Sequence, residues 1–83
     1  MKPGFRMDLK KILTDIARAI VDTPDAVNVI ENVDGDNVVL TLVVAEDDTG
    51  MVIGRHGKIA KAIRQIMKSA ANTCGKHVTV EIK

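Results

Sequence analysis

The feature that most constrains this chain is a four-residue turn, Gly54-Arg55-His56-Gly57, which lies between two apolar segments with helical spacing. Glycine lacks a Cβ, so two glycines in one turn allow the backbone to bend tightly and to approach another molecule closely. A helix that follows such a turn directs its unpaired N–H groups back toward it, which suits a phosphate. Because cations lie in the turn and directly after it, the pattern predicts a clamp for a nucleic-acid backbone.

Charge is distributed unevenly along the chain, although the net charge is only +1. Residues 1–48 carry ten acidic residues against five Lys and Arg, whereas residues 49–83 carry seven Lys and Arg and a single acid, Glu81. A basic half on a near-neutral protein indicates a local anionic partner. A solvated helix face explains the charge equally well when charge is considered alone.

The first half of the chain is predicted to hold one helix and two strands: residues 8–22, 27–33 and 38–44. Asp8 is a suitable N-cap for the helix, which ends at Thr23-Pro24 because proline disfavours helix in the residue before it. Asp34-Gly35 between the two strands is a strong hairpin signal, although Asp36-Asn37 could lengthen the loop.

The second half is predicted to hold two helices and a strand: residues 50–53, a longer helix from the turn to about 73, and 77–82. Asp48 or Thr49 is expected to cap the short helix, and Gly75 to terminate the long one. One face of the long helix is predicted to join the core: Ile59, Ile63, Ile66, Met67, Ala70 and Cys74. The other face is polar or cationic: Lys58, Lys61, Arg64, Gln65 and Lys68. The three strands would form one sheet with helices packed on one face.

Size and composition indicate one small domain over residues 8–83, preceded by a flexible leader over residues 1–7. The single cysteine, Cys74, cannot form an internal disulfide, and no Cys or His cluster completes a zinc site, so we interpret it as a small buried hydrophobic residue. There is no signal-peptide pattern and no stretch near 18 apolar residues. We therefore expect a cytoplasmic protein without a membrane span, metal or cofactor.

Element order and motif together resemble a K-homology (KH) RNA-binding domain of the second topological type, an α+β fold. Two segments carry the resemblance: Met51-Val52-Ile53-Gly54-Arg55-His56-Gly57-Lys58-Ile59 and Ala62-Ile63-Arg64. The likeness extends from about Leu9 to Ile82. More narrowly, the chain is similar to small bacterial proteins that consist of one KH domain, although those often have glutamine where this chain has His56.

The resemblance implies that the turn and its flanking helices grip the sugar–phosphate backbone of about four nucleotides of single-stranded RNA. It assigns six RNA-binding residues: Gly54, Arg55, His56, Gly57, Lys58 and Lys61. Bases would lie in an apolar groove between the helices and the edge of the sheet. Val52, Ile53 and Ile59 are near that groove, but we interpret them first as core residues.

The resemblance also implies two protein partners: a second copy of the chain in a homodimer, and a larger bacterial protein that joins a KH domain to another nucleic-acid-binding domain. It further implies an RNA chaperone or post-transcriptional regulator that affects cell shape. Because Phe5 is the only aromatic residue, base stacking on aromatic side chains is scarce. We therefore expect weak binding with low sequence selectivity, strengthened by a second domain.

Three other functions can be compared with the sequence pattern. An enzyme is disfavoured because the turn lacks the G-x-x-x-x-G-K-[ST] pattern of a nucleotide-binding loop, and neither His56 nor His77 has a nucleophile in a recognisable motif. A protein–protein interaction module that kept the fold and lost RNA is the main alternative, since fold does not dictate function. Single-stranded DNA remains open as a ligand, because only contacts to the 2′-OH distinguish the two polymers.

Overall fold

In the computed structural model, which describes residues 8–83, the main elements follow the predicted order α-β-β-α-α-β. They are α1 (Leu9–Ile20), β1 (Asn28–Asp34), β2 (Asn37–Val43), α2 (Thr49–Ile53), α3 (Lys58–Thr73) and β3 (His77–Ile82). The predicted leader, residues 1–7, lies outside the described residues. The α+β architecture predicted from the sequence is confirmed.

The three strands form one sheet in the order β1-β2-β3, with β2 antiparallel to β1 and parallel to β3. The β1–β2 hairpin has a two-residue loop, because Asp34 pairs directly with Asn37. Gly35 has a φ of 62° at the first loop position, where such tight hairpin turns favour glycine. The parallel strands β2 and β3 need a long crossover, which α2 and α3 supply.

Alternation along the strands separates a packed sheet face from an open one. Leu40 and Leu42 of β2 are fully buried and pair with Val80 and Ile82 of β3. Glu81, between those two β3 residues, is exposed and therefore belongs to the open face. The helices bury their apolar residues against the packed face, and the core also includes the buried side chains Leu13, Val52, Ile63 and Met67.

The start of α1 is as predicted, but its end is earlier. The Asp8 side chain accepts a hydrogen bond from the Lys11 N–H at 3.1 Å, which caps the helix. The helix ends at Ile20 rather than at residue 22, and Val21 is extended with a ψ of 160°. The Thr23 N–H donates to Asp48 Oδ2 at 2.9 Å, a contact from a distant segment that favours the extended path over another helical turn.

The end of α3 is the glycine-terminated motif that the sequence predicts. Gly75 has a φ of 72°. Its N–H donates to the Asn72 carbonyl at 3.1 Å, and the Lys76 N–H donates to the Ala71 carbonyl at 2.8 Å. These two bonds satisfy carbonyl groups that the helix would otherwise leave free.

The predicted core face of α3 is wrong in part. The buried residues are Ala60, Ile63, Met67 and Ala71. Ile59 and Ile66 were expected in the core but are 38% and 50% exposed, and Cys74 is only partly buried. The apolar stripe of α3 is wider than the part of the helix that is buried, so the centre of the stripe does not mark the buried side. The small residues Ala60 and Ala71 mark that side instead.

Candidate nucleic-acid interface

The predicted turn lies between the end of α2 and the start of α3. Gly54 ends α2, and its N–H donates to the Gly50 carbonyl at 2.8 Å. Arg55–Gly57 then form a single 3₁₀ turn, in which the Gly57 N–H donates to the Gly54 carbonyl at 3.2 Å. The turn is therefore held by backbone hydrogen bonds, which leave the side chains of Arg55 and His56 exposed.

The two glycines of the turn have different structural roles. Gly54 has φ 75° and ψ 174°, and a Cβ placed there would lie 2.6 Å from Ile59 Cγ1. Gly57 has a φ of 73°, but nothing lies within 4 Å of the position of its missing Cβ. Gly54 is therefore required for packing inside the protein. Gly57 leaves open space, so it is the glycine at which an external molecule can approach the backbone.

His56 also has a left-handed backbone, with φ 57° and ψ 26°. It is the only residue other than glycine with a positive φ in residues 8–83. Histidine is among the residues that tolerate this conformation better than most. Three unusual backbone conformations, at Gly54, His56 and Gly57, are thus concentrated in the turn, as is typical of functional loops.

The N-terminus of α3 opens onto this turn without a side-chain cap. Gly57 occupies the N-cap position and has no side chain with which to cap the helix. The first turn of the helix contains no acidic residue. The Lys58 N–H donates to the Arg55 carbonyl, but the positive end of the helix dipole still favours an anion at such a position. Exposed Lys58 and Lys61 add positive charge beside it. The structure thus brings the six predicted binding residues together at one end of α3.

No acidic side chain from the second half of the chain reaches this region. Glu81, its one acid, occupies a β3 position on the open face of the sheet, on the side away from the helices. Within the second half of the chain, the turn and one flank of α3 therefore carry only positive formal charge, and we call these exposed residues the basic surface: Arg55, Lys58, Lys61, Arg64 and Lys68.

The three apolar residues near the turn do not share one environment. Val52 is fully buried, which confirms the core interpretation for that residue. Ile53 and Ile59 are each 38% exposed, so the core interpretation is wrong for both. Met51, at 37%, joins them as an exposed apolar side chain beside the turn. These residues give the basic surface an apolar border.

Sequence reasoning did not find two contacts that shape this region. Asp48 is buried at 2% exposure and accepts the Thr23 N–H, and it makes no capping hydrogen bond to α2, contrary to expectation. Arg64 Nε donates to the Val80 carbonyl at 3.3 Å, which links α3 to β3. Both contacts join segments far apart in sequence, so no local pattern could have indicated them. The sequence signal for Arg64 was its position one turn after Lys61, within residues 49–80, which contain no Asp or Glu.

Two other features of the described residues bear on the kind of site. Within residues 8–83, no group of three or more His, Cys, Asp or Glu side chains is placed to hold a metal ion. None of the helices in that range has the length and apolar character needed to cross a bilayer.

The chain matches a protein-family model described as the KH domain of KhpA/KhpB over residues 10–82. It is 47% identical to the RNA-binding protein KhpA of Clostridium acetobutylicum over 74 residues, which cover 89% of this chain and 99% of that protein. It is 46% identical to the KhpA of Caldanaerobacter subterraneus over 87% of this chain and 96% of that protein. The Bacillus subtilis KhpA is 38% identical over 89% of this chain and 91% of that protein.

A solved structure shares the fold at low sequence identity. It is the crystal structure of Era in complex with MgGDPNP and nucleotides 1506–1542 of 16S ribosomal RNA. The TM-score is 0.57 at 20% identity, and the match covers 99% of this chain and 34% of the Era chain. The family model and the KhpA proteins describe an RNA-binding KH family rather than an enzyme family. This chain belongs to the KhpA/KhpB family of KH domains, with the type II KH fold that its sequence predicts.

Proposed function

We propose that the protein binds single-stranded RNA and holds its sugar–phosphate backbone on the Gly54–Gly57 turn. The observation that carries the proposal is the N-terminus of α3, which has no side-chain cap and opens beside Gly57, where space for a ligand is free. The names of the KhpA relatives support the same ligand. In this proposal Arg55 and His56 contact phosphates from the turn, and Lys58 and Lys61 contact them from the first turns of the helix.

The strength of binding follows from the number of cations. Three or four phosphate contacts on a single strand would make log K fall by about 2–3 per tenfold rise in salt concentration. Stacking on an aromatic side chain would add about 1–3 kcal/mol per base, but residues 8–83 contain no Phe, Tyr or Trp. We therefore expect one domain to bind with a Kd in the micromolar range or weaker.

The test is a titration of labelled RNA of about eight nucleotides, twice the length that a KH domain grips. The double variant Arg55→Asp/His56→Asp should remain folded by circular dichroism and lose binding. A matched control, Lys10→Asp/Asn28→Asp, makes the same change in formal charge at exposed positions outside the turn. It should lower the affinity far less, because it affects only long-range electrostatics.

The outcomes separate the alternatives. If the turn variant keeps the affinity of the wild type, the turn is not the RNA site. If the wild type itself binds no RNA, the protein is better explained as an interaction module. A parallel titration with DNA of the same sequence examines the role of the 2′-OH.

We also propose that the chain associates with a second copy of itself and with a larger KH-containing protein. The joint name of the KhpA/KhpB family is consistent with such partners. Exposed Ile59 and Ile66 lie seven residues apart on α3, on the opposite flank from Lys61 and Lys68, so a partner could cover them without blocking the basic surface. Light scattering after size exclusion should give a dimer mass for the wild type and a monomer mass for Ile66→Asn.

We also propose that the protein acts in the cytoplasm as an RNA chaperone or regulator that affects cell shape. Weak, unselective contact with the backbone suits a chaperone, because such a protein must release its RNA readily. An assay of strand annealing between two complementary RNAs tests this role. The wild type should accelerate annealing, and Arg55→Asp/His56→Asp should not.

A further inference from the structure

The direction of the backbone groups in the sheet follows from two bonds between β2 and β3. The His77 N–H donates to the Asp36 carbonyl at 2.8 Å, and the Lys83 N–H donates to the Leu42 carbonyl at 2.9 Å. Successive residues of a strand direct their backbone groups to opposite sides. Even-numbered residues of β2 therefore face β3, and its odd-numbered residues face β1.

The same alternation applies to β1, whose even-numbered residues lie opposite the odd-numbered residues of β2. Ile30, for example, pairs with Thr41 and faces β2. The N–H and C=O groups of Val29, Glu31 and Val33 therefore point outward from the sheet. No strand in the described part of the chain pairs with this outer edge. β1 can therefore form backbone hydrogen bonds with a further strand.

Most of the features that protect an edge strand are missing from β1. It is seven residues long, contains no Lys or Pro, and pairs with β2 residue for residue, without a bulge. Two of its side chains are large, apolar and exposed: Ile30 at 48% and Val33 at 59%. Val38, the residue paired with Val33, is only 4% exposed. The core therefore ends one strand short of this edge, which leaves room beside Val33 for the side chains of an added strand.

The charge carried by β1 is negative. Residues 19–54 contain eight Asp and Glu and no Lys or Arg. Glu31 and Asp34 of β1 are exposed, and neither makes an ion pair with another described residue. A second copy of β1 would place acid near acid, and RNA would be repelled, whereas a basic strand would be attracted.

We propose that the outer edge of β1 binds an extended, basic segment of a partner protein as a fourth strand of the sheet. An antiparallel segment, the more stable arrangement, would run past β1 from Asp34 to Ile30. Its side chains should be basic opposite the two acids and apolar opposite the two exposed apolar residues. Opposite Asp34, Val33, Asn32, Glu31 and Ile30 in turn, the segment that fits therefore reads basic, apolar, any residue, basic, apolar.

Binding at this edge does not depend on the proposed RNA-binding function. β2 separates β1 from β3, and β3 is the strand that Arg64 of α3 contacts. The outer edge of β1 is therefore on the opposite side of the sheet from that contact, and the affinities for RNA and for the partner segment can be measured independently.

The test is an NMR titration of the isotopically labelled protein with an end-blocked peptide, lysine-valine-threonine-lysine-isoleucine. The amide signals of Val29, Glu31 and Val33 should shift most, because these groups would donate hydrogen bonds to the peptide. A peptide with glutamate in place of both lysines should bind at least about fivefold more weakly, since attraction becomes repulsion.

Two methylated peptides test the backbone pairing. N-methyl groups on the residues opposite Glu31 and Val33 remove N–H groups that face β1, so this peptide should bind at least about tenfold more weakly. The matched control carries its N-methyl groups opposite Ile30 and Asn32, on the side away from β1. It should bind with the affinity of the unmethylated peptide.

Three variants locate the peptide on β1. Glu31→Pro removes an outward N–H and leaves the bonds to β2 intact, as edge strands allow, so it should abolish peptide binding, remain folded by circular dichroism and keep its RNA affinity. Val33→Lys replaces an exposed apolar side chain with a cation and should weaken peptide binding at least about fivefold. The control Thr79→Lys makes the same change in formal charge at an exposed β3 position and should retain peptide binding.

Any one of four results refutes the proposal. The unmethylated peptide does not bind; the two methylated peptides bind alike; Val33→Lys keeps the affinity of the wild type for the peptide; or light scattering gives a lower mass for Glu31→Pro than for the wild type, which would mean that a second copy occupies the edge. Val33→Lys decides the question if Glu31→Pro does not fold. Failure of the wild type to bind RNA, with peptide binding intact, would refute only the proposed RNA-binding function.

Discussion

Replacing Gly54 with alanine tests whether the shape of the turn is set by internal packing. The added Cβ would lie 2.6 Å from Ile59 Cγ1, 2.8 Å from Ile59 Cβ and 2.9 Å from the Ile59 backbone nitrogen. Two of these atoms belong to rigid parts of the residue at the start of α3. Rotation of a side chain cannot relieve the overlap, so the backbone of the turn or of the helix must move.

The expected cost has two parts. A φ of 75° with a ψ of 174° is a conformation almost confined to glycine, and alanine there costs about 1–3 kcal/mol. Steric overlap in a packed region adds about 1–3 kcal/mol. Alanine also reduces the conformational freedom of the unfolded chain, which offsets about 0.4–1 kcal/mol of this cost. The free energy of unfolding should therefore fall by about 3 kcal/mol, within a range of about 1–5.5 kcal/mol, against a total of about 4–12 kcal/mol for a chain of this length.

Two further glycine variants calibrate this value. Gly57 and Gly75 have φ values of 73° and 72°, and at neither position does any atom lie within 4 Å of where a Cβ would be. Gly57→Ala and Gly75→Ala should each cost about 1 kcal/mol, because left-handed alanine costs about 1–2 kcal/mol before the gain from the unfolded state. Of these two variants, Gly57→Ala should weaken RNA binding and Gly75→Ala should not, since Gly75 lies at the other end of α3.

Urea denaturation followed by far-UV circular dichroism measures all three variants, and it needs no tryptophan, which the chain lacks. With a slope of about 1 kcal/mol per molar urea, the midpoint should fall by about 1 M for Gly57→Ala and Gly75→Ala, and by about 2 M or more for Gly54→Ala. Equal midpoints for Gly54→Ala and Gly57→Ala would refute the argument that Ile59 packing requires Gly54.

The remaining predictions concern two polar contacts and the salt dependence of RNA binding. Asp48→Ala should lower the free energy of unfolding by about 1–3 kcal/mol, because the Thr23 N–H loses its acceptor. Asp48→Asn keeps an oxygen that can accept this hydrogen bond, so it should lower the free energy of unfolding less. Urea denaturation measures both variants. The Asp15 carboxylate, through its hydrogen bond and its charge, raises the pKa of Lys11 above 10.5, so Asp15→Asn should lower that pKa in an NMR titration. Because the folded-state pKa of Lys11 is raised, its contribution to stability is present at neutral pH and is lost as the pH rises through that pKa. Log K for RNA should decrease linearly with log salt, with a slope near −2 to −3 by fluorescence anisotropy, and Lys61→Gln should make that slope about 0.7 shallower.

The sequence predicted the parts of the fold that local chemistry determines. The Asp8 cap, the Asp34-Gly35 hairpin and the Gly75 terminator depend on residues within a few positions of each other, and each is present as predicted. The order of elements follows from the same local signals. The turn at Gly54–Gly57 was also predictable, because two glycines separated by two polar residues between helical segments leave few alternatives.

Sequence reasoning failed where the structure depends on contacts between distant segments. The apolar stripe of α3 predicts Ile66 in the core, yet Ile66 is 50% exposed, and the buried residues of α3 are Ala60, Ile63, Met67 and Ala71. A hydrophobic pattern gives the apolar face of a helix but not which part of that face its neighbours cover. The contacts of Asp48 and Arg64 have the same origin, since their partners are 25 and 16 residues away in sequence.

The packing at Gly54 bears on how a domain with the weak affinity that we expect could still be effective. Because the Gly54–Ile59 contact and the backbone hydrogen bonds of the turn fix its shape before any ligand arrives, RNA binding need not order the loop, and that entropic cost is avoided. We expect affinity to be limited by the small number of favourable contacts, since residues 8–83 contain no Phe, Tyr or Trp. A second domain raises affinity without adding contacts to the first, since the second binding event becomes intramolecular. A preformed turn with few contacts therefore favours fast exchange of RNA on a single domain. Tight binding of RNA is then expected only where two domains act together. This is the behaviour expected if association with a partner controls RNA binding.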